Sequence, residues 1–247
     1  MAEHQNPVTG EHVLRASWRE GVTDSLPIVM GYLPVAFAFG LNATRLGFTP
    51  TEAIFFSCII YAGASQFVIT ALLSAGASLW IAALTVMAMD VRHILYGPSL
   101  RQRITQALNP RKTPLWAFGL TDEVFAAATA KLYRDGRRWS ENWMLGMALC
   151  SWLSWVLGTV AGAFSGNGLL DEYPAVEGAL TFMLPALFLS FLLSSFQRRQ
   201  RVVVSAALAG SILGMMLFSI PVAILAGIVF GCLAALLPQA DHGVLNE

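Results

Sequence analysis

Four polar side chains interrupt an apolar run in MAMDVRHILYGPSL, residues 87–100: Asp90, Arg92, His93 and Tyr96. At helical spacing Asp90 and His93 share a face, as do His93 and Tyr96. A carboxylate beside an imidazole that titrates near neutrality is a candidate proton-handling pair. With residues 77–97 spanning a bilayer, Asp90 lies about 4.5 Å past the centre at about 1.5 Å per residue. A carboxylate at that depth costs roughly 2.5–3.5 kcal/mol on insertion scales, so it needs a cavity or a partner. A purely structural ion pair with His93 would also meet that need. Arg92 has the longer stem and can reach toward the interface, and Tyr96-Gly97-Pro98 reads as the helix end.

A second polar cluster lies in IYAGASQF, residues 60–67. Gly63 and its alanine neighbours open a gap, and Tyr61, Ser65 and Gln66 put hydrogen-bonding groups at its edge. Such a gap suits a zwitterion with a modest side chain; equally, small residues pack membrane helices and polar ones bond across them. Gly63-Ala64-Ser65 with a distant His93 is also the raw material of an intramembrane serine hydrolase. No strand-to-helix elbow or set of oxyanion donors accompanies it, however. A third cluster, Asp122 and Glu123, lies in PLWAFGLTDEVFAAATAK, residues 114–131. These carboxylates line a cavity mouth if the segment dips into the membrane, or else they are an acidic helix start beside a basic loop.

Other chemistry is thinly represented. No Walker A motif is present and no Cys/His spacing resembles a zinc site, so no cofactor or metal is expected. Cys58, Cys150 and Cys232 read as small buried hydrophobes. The basic clusters are short loops rather than a nucleic-acid stripe.

The elements that hold these residues follow from composition. Of 247 residues, 56% are hydrophobic and 12% charged, against about 25% charged in soluble domains. The mean hydropathy is +0.61. An all-α, polytopic transmembrane helical bundle is expected, with spans at 24–44, 53–74, 77–97, 141–164, 176–196, 202–219 and 220–238. Residues 1–23 form a polar N-terminal segment without a cleavable signal, 24–238 the membrane domain and 239–247 a tail.

Segment 114–131 decides between seven and eight spans. Arg101, Arg103, Arg111 and Lys112 precede it, and Lys131, Arg134, Arg137 and Arg138 follow. If it is re-entrant, both clusters are cytoplasmic, as are Arg198, Arg199 and Arg201, while Asp171, Glu172 and Glu177 face outward. Seven spans then put the N-terminus outside, with Arg15 and Arg19. Broken helices are expected near Pro27, Pro34, Gly40, Gly63, Gly97, Pro98, Pro185 and Pro221. Leu33–Phe37 is echoed by Leu184–Phe188, and Ala62–Ser65 by Ala209–Ser211. This makes a parallel internal repeat of three-helix units a candidate, as in many transporters.

Three motifs in order, YAGASQF (61–67), MDVRHILYGPSLR (89–101) and GLTDEVFAA (119–127), resemble the AzlC family, the resemblance running from about Gly21 to Leu237. It implies the large permease subunit of a two-component exporter in a bacterial inner membrane. It also implies a small AzlD-type membrane subunit as partner and L-valine and related neutral amino acids as substrates, methionine being a further candidate. The proton gradient is the implied energy source. The resemblance supplies no site residue. The candidates are physical readings: Tyr61, Gly63, Ser65 and Gln66 for substrate; Asp90, His93, Asp122 and Glu123 for proton coupling or polar lining. Export by alternating access around the 61–66 break is the expected function rather than catalysis. An intramembrane hydrolase using Ser65 and His93, or a passive amino-acid channel, are the alternatives.

Overall fold

The computed structural model describes residues 15–135, 138–165 and 200–236, with isolated positions between 173 and 196. Outside the described residues lie most of the expected span 176–196, Asp171, Glu172, Glu177, Arg137, Arg198, Arg199, the Leu184-Pro185 half of the echo and the 239–247 tail. Among the described residues the chain is helical, with no strand. Among the described residues, three helical stretches are long and apolar enough to cross a membrane: Leu26–Arg45, Leu79–Arg101 and Glu141–Phe164. The chain divides into two compact units, residues 1–30 with 95–153 and residues 31–94 with 154–247.

In the first unit, α1 (Trp18–Asp24) is capped by Ser17, whose hydroxyl accepts the Glu20 N–H at 3.2 Å. The preceding backbone is tied down: the Ala16 N–H donates to the Arg138 carbonyl at 2.7 Å, and the Ser140 hydroxyl donates to the Ala16 carbonyl. Arg138 pairs with Glu20 at 3.2 Å and Lys131 with Asp24 at 3.5 Å, while the Trp143 indole N–H donates to Asp24 at 2.8 Å. Segment 113–135 is two helices, α7 (Thr113–Phe118) and α8 (Asp122–Asp135). Glu141 fastens the start of α7, accepting from Asn109 N, Thr113 Oγ1 and Trp116 Nε1 at 2.8, 3.0 and 3.1 Å. Beneath these contacts Trp116, Trp139, Trp143, Met144 and Met147 form a buried core with Leu100 and Val124.

Segment 113–135 starts and ends near residues 138–143: Thr113 and Trp116 donate to Glu141, and the Lys131 ammonium lies 5.3 Å from the Trp143 ring centroid. Residues 16–24 lie beside Lys131 and Arg138. Charge holds them there: Glu20 and Asp24 find their cations at Arg138 and Lys131.

In the second unit, the later half of α2 (Leu26–Arg45) packs on the later half of α9 (Glu141–Phe164). A Cβ on Gly158 would sit 2.8 Å from the Leu33 carbonyl oxygen, and one on Gly162 would sit 2.0 Å from that of Phe37. The constant offset makes the two helices parallel, and glycine lets their backbones touch. Segment 53–74, expected as one span, instead falls in α3 (Pro50–Ile59) and α4 (Gly63–Ser74), folded as a hairpin. Ala53 packs beside Ala43, yet Phe67 stacks edge-on against Phe39 with ring centroids 5.3 Å apart. Ala43 and Phe39 are about one turn apart on α2, whereas a straight helix at about 1.5 Å per residue would carry Phe67 roughly 20 Å beyond Ala53. Only a chain that turns back at residues 60–62 brings both to α2.

α5 (Leu79–Asp90) runs antiparallel to α4, burying Ala82 against Ile69 and Leu72, and α6 (His93–Arg101) follows after a turn at 91–92. α10 (Arg201–Leu217) and α11 (Ile220–Leu236) form a hairpin in which Gly210 meets Phe230 and Gly214 meets Ala223.

The expected helix breakers behave differently from one another. Pro34 and Gly40 lie inside an unbroken α2, and Gly40 is there because a Cβ would come within 2.2 Å of the Thr159 carbonyl oxygen. Gly97 and Pro98 lie within α6, so Tyr96-Gly97-Pro98 does not end the helix, which runs to Arg101. Pro27 and Pro221 occupy the second position of their helices, where a missing N–H is harmless. Ala62–Ser65 opens a helix after a break while Ala209–Ser211 lies inside one, so this half of the echo has no shared local structure.

Candidate functional site

The site is built where the α3–α4 hairpin turns. Ile60 leaves the helix at φ −95°, ψ 77°, and the Ala62 N–H folds back onto the Ile60 carbonyl at 2.8 Å, making Tyr61 the centre of a tight three-residue turn. α4 restarts at Gly63 with Ala62 as an N-cap that has no side-chain hydrogen bond to offer. The break therefore lies at 60–62, one step before the glycine, and Gly63, Ser65 and Gln66 belong to the first turn of α4.

Gln66 is fully buried and has four polar contacts. Its amide nitrogen donates to the carbonyls of Phe56, at 3.1 Å, and Ile60. Its amide oxygen accepts from the Trp155 indole N–H at 3.0 Å and from the Ser57 hydroxyl at 3.4 Å. Ser57 also shares a 2.7 Å hydrogen bond with Thr159 on α9. The Trp155 ring lies over Gly63, where a Cβ would come within 2.5 Å of the indole, and Tyr32 meets that ring edge-on at 5.1 Å. Tyr61, also buried, lies edge-on to Tyr32 at 6.3 Å.

Ser65 turns the other way. Its hydroxyl donates to the Asp90 carboxylate at 2.7 Å. The His93 Nδ1 lies 3.6 Å from the same carboxylate oxygen and 3.1 Å from the Asp90 carbonyl. Asp90 closes α5 and His93 opens α6, so the pair spans a break in the helix that carries it. Both side chains are about a quarter exposed, at 23% and 24%. A carboxyl group flanked by a hydroxyl and an imidazole is an arrangement through which a proton can pass. A nucleophile–base pair would need the Ser65 proton aimed at His93, and here it is given to Asp90.

The structure thus brings Tyr61, Gly63, Ser65, Gln66, Asp90 and His93 together in the second unit. Asp122 and Glu123 belong to the first unit, in the opening turn of α8, where carboxylates favour the helix dipole. Tyr96 donates to Asp122 and stacks on Phe125 at 4.4 Å. The first unit also holds an apolar cavity of about 390 Å³ lined by Trp18, Phe118 and Trp152, without an acid or base in its walls.

Sequence reasoning passed over Tyr32, Ser57, Trp155 and Thr159. The signal was present in SWLSW, residues 151–155, which puts hydroxyls and indoles in the middle of an apolar run. Pairing that run with residues 57–66 needed the fold.

The family model described as "AzlC protein" matches residues 27–169, more than half the chain and all of the hairpin, Asp90 and Trp155. The chain belongs to the AzlC family. This AzlC-family protein is 73% identical over 232 residues to "Inner membrane protein YgaZ" of Escherichia coli, covering 94% of the chain and 95% of that protein. It is 40% identical over 216 residues to an "Uncharacterized membrane protein" of Archaeoglobus fulgidus, covering 86% and 93%. It is 27% identical over 188 residues to "Branched-chain amino acid transport protein AzlC" of Bacillus subtilis, covering 75% and 70%. No solved structure matches the chain.

Proposed function

We propose that this protein is the large permease of a secondary exporter of branched-chain amino acids, chiefly L-valine, with methionine a further candidate. It works in the bacterial inner membrane with a small AzlD-type membrane subunit, residues 24–238 forming the transport domain. The observation that carries this reading is the hairpin turn at 60–62 standing beside Asp90 and His93 in an otherwise apolar unit. Unwound backbone and an intramembrane carboxylate persist where they line a substrate or ion path. The name of the Bacillus subtilis relative supports the substrate class.

In this reading Tyr61, Gly63, Ser65 and Gln66 form the wall of the substrate gap, and Asp90 with His93 carries the coupled proton. Asp122 and Glu123 give a polar lining to the other re-entrant pair. The shared side of residues 16–24 and the basic loops is the cytoplasm, by the positive-inside tendency. The test is efflux of labelled valine from proteoliposomes holding the protein with its small subunit, against empty liposomes, with and without an imposed proton gradient. Saturable, gradient-dependent efflux is expected. Efflux equal to the empty control rejects transport, and flux that neither saturates nor follows the gradient means a channel.

A further inference from the structure

We infer that Gln66 is a positioning residue, the pin that holds the α3–α4 hairpin closed against Trp155 and α9, and that it walls the gap without contacting substrate. The inference rests on the transport reading for its kinetic consequence but not for its structural one. A helix that stops inside an apolar unit leaves its last carbonyls without helical partners. At the end of α3 the Phe56 carbonyl takes the last helical N–H, from Ile60 at 2.7 Å, and the Ile60 carbonyl takes only the Ala62 N–H of the turn; both also accept from the one Gln66 amide nitrogen. The carboxamide is the group this place requires: two donors for the carbonyls on one side, and an oxygen for Trp155 and Ser57 on the other.

Every polar atom of the side chain is thereby engaged by protein, and none of the residue is exposed. Ser65, its neighbour, faces Asp90 instead. The two residues divide the work of the first turn of α4: one fixes the turn to α3 and α9, the other meets the carboxylate. Trp155 is the second end of the pin, since its indole N–H is bound by Gln66 while its ring covers Gly63.

Gln66→Glu tests this with almost no change in shape. Buried among carbonyls the introduced carboxyl is held neutral, and its single O–H can serve only one of the Phe56 and Ile60 carbonyls that the amide served together. Trp155→Phe is the gentler variant, removing the indole N–H and keeping a ring over Gly63. Cys58, next to Ser57 on α3, is a native reporter of hairpin opening once Cys150 and Cys232 are replaced by serine. The protein, with its small subunit, is treated with a membrane-permeant maleimide in the absence of valine, and efflux is measured in parallel.

Cys58 labelling should rise about tenfold in Gln66→Glu, the factor that a net hydrogen-bond contribution of about 1.4 kcal/mol represents, and less in Trp155→Phe. Maximal efflux should fall in the same order while the half-saturating valine concentration stays unchanged. Unchanged labelling in both variants overturns the inference. So does a raised half-saturating concentration with labelling unchanged, which would make Gln66 a substrate ligand. If labelling rises but wild-type efflux never exceeds that of empty liposomes, the pin stands and the transport reading falls.

Discussion

Gly162→Ala should destabilise the protein, although alanine is the better helix former. A Cβ there would lie 2.0 Å from the Phe37 carbonyl oxygen, where ordinary contact begins near 3.4 Å, and would also crowd the Leu41 nitrogen at 3.0 Å. The obstacle is backbone, so no side chain can swing aside, and α2 and α9 must part by about an ångström. Overpacking costs about 1–3 kcal/mol, from which about 1 kcal/mol of gained helix propensity is to be set off. The net loss of up to about 2 kcal/mol corresponds to as much as roughly 8 °C in a chain of this size. Gly31→Ala is the matched control, since nothing lies within 4 Å of its Cβ position. There the propensity term acts alone and should raise the midpoint by roughly 2–4 °C. Thermal unfolding of both variants in the same detergent measures the difference. Equal midpoints for the two, or a rise in Gly162→Ala, would refute backbone contact between the helices.

Asp90→Asn should leave folding intact and abolish the pH dependence of valine efflux; a retained pH profile in the proteoliposome assay would assign Asp90 to structure. Tyr96→Phe removes the hydroxyl that donates to Asp122 and should cost about 1.5–3 kcal/mol, read as a lower unfolding midpoint. Glu52, at the mouth of α3, closes a capping box with Thr49, and those hydrogen bonds hold its carboxyl below the ordinary value of 4.5. A lowered folded-state value gives stability that is present above 4.5 and lost as pH falls through the folded value. Hydrogen exchange in the first turn of α3 should therefore accelerate on acidification in the native protein, and Glu52→Gln should flatten that response.

Much of the local structure was legible in the sequence because it follows from short-range rules. The turn between α10 and α11 falls at Ser219-Ile220-Pro221, where proline can begin a helix and not continue one. Asp122 and Glu123 open a helix, as acidic residues favour. Asp90 and His93 meet because three residues is nearly one turn. The reading of residues 53–74 as one span failed for a long-range reason. Hydropathy counts apolar residues and is blind to direction, so two short helices folded back on each other look like one long helix. Pro34 and Gly40 were read as breaks for the same want of a partner; the glycine is explained by α9, which the sequence places more than 100 residues away.

By itself the sequence determined the class of the molecule, an apolar helical membrane protein with three polar clusters, because the low charge density admits no water-facing surface. It also singled out Tyr61, Ser65, Gln66, Asp90 and His93 as the polar groups of those clusters. Only the tertiary structure decided their company. It gave Ser65 to Asp90, and Gln66 to Trp155 and the carbonyls at the end of α3, although the two stand side by side in the chain. The physical reason is helical geometry: neighbours in sequence point about 100° apart, and what each one meets depends on which helix has been packed there.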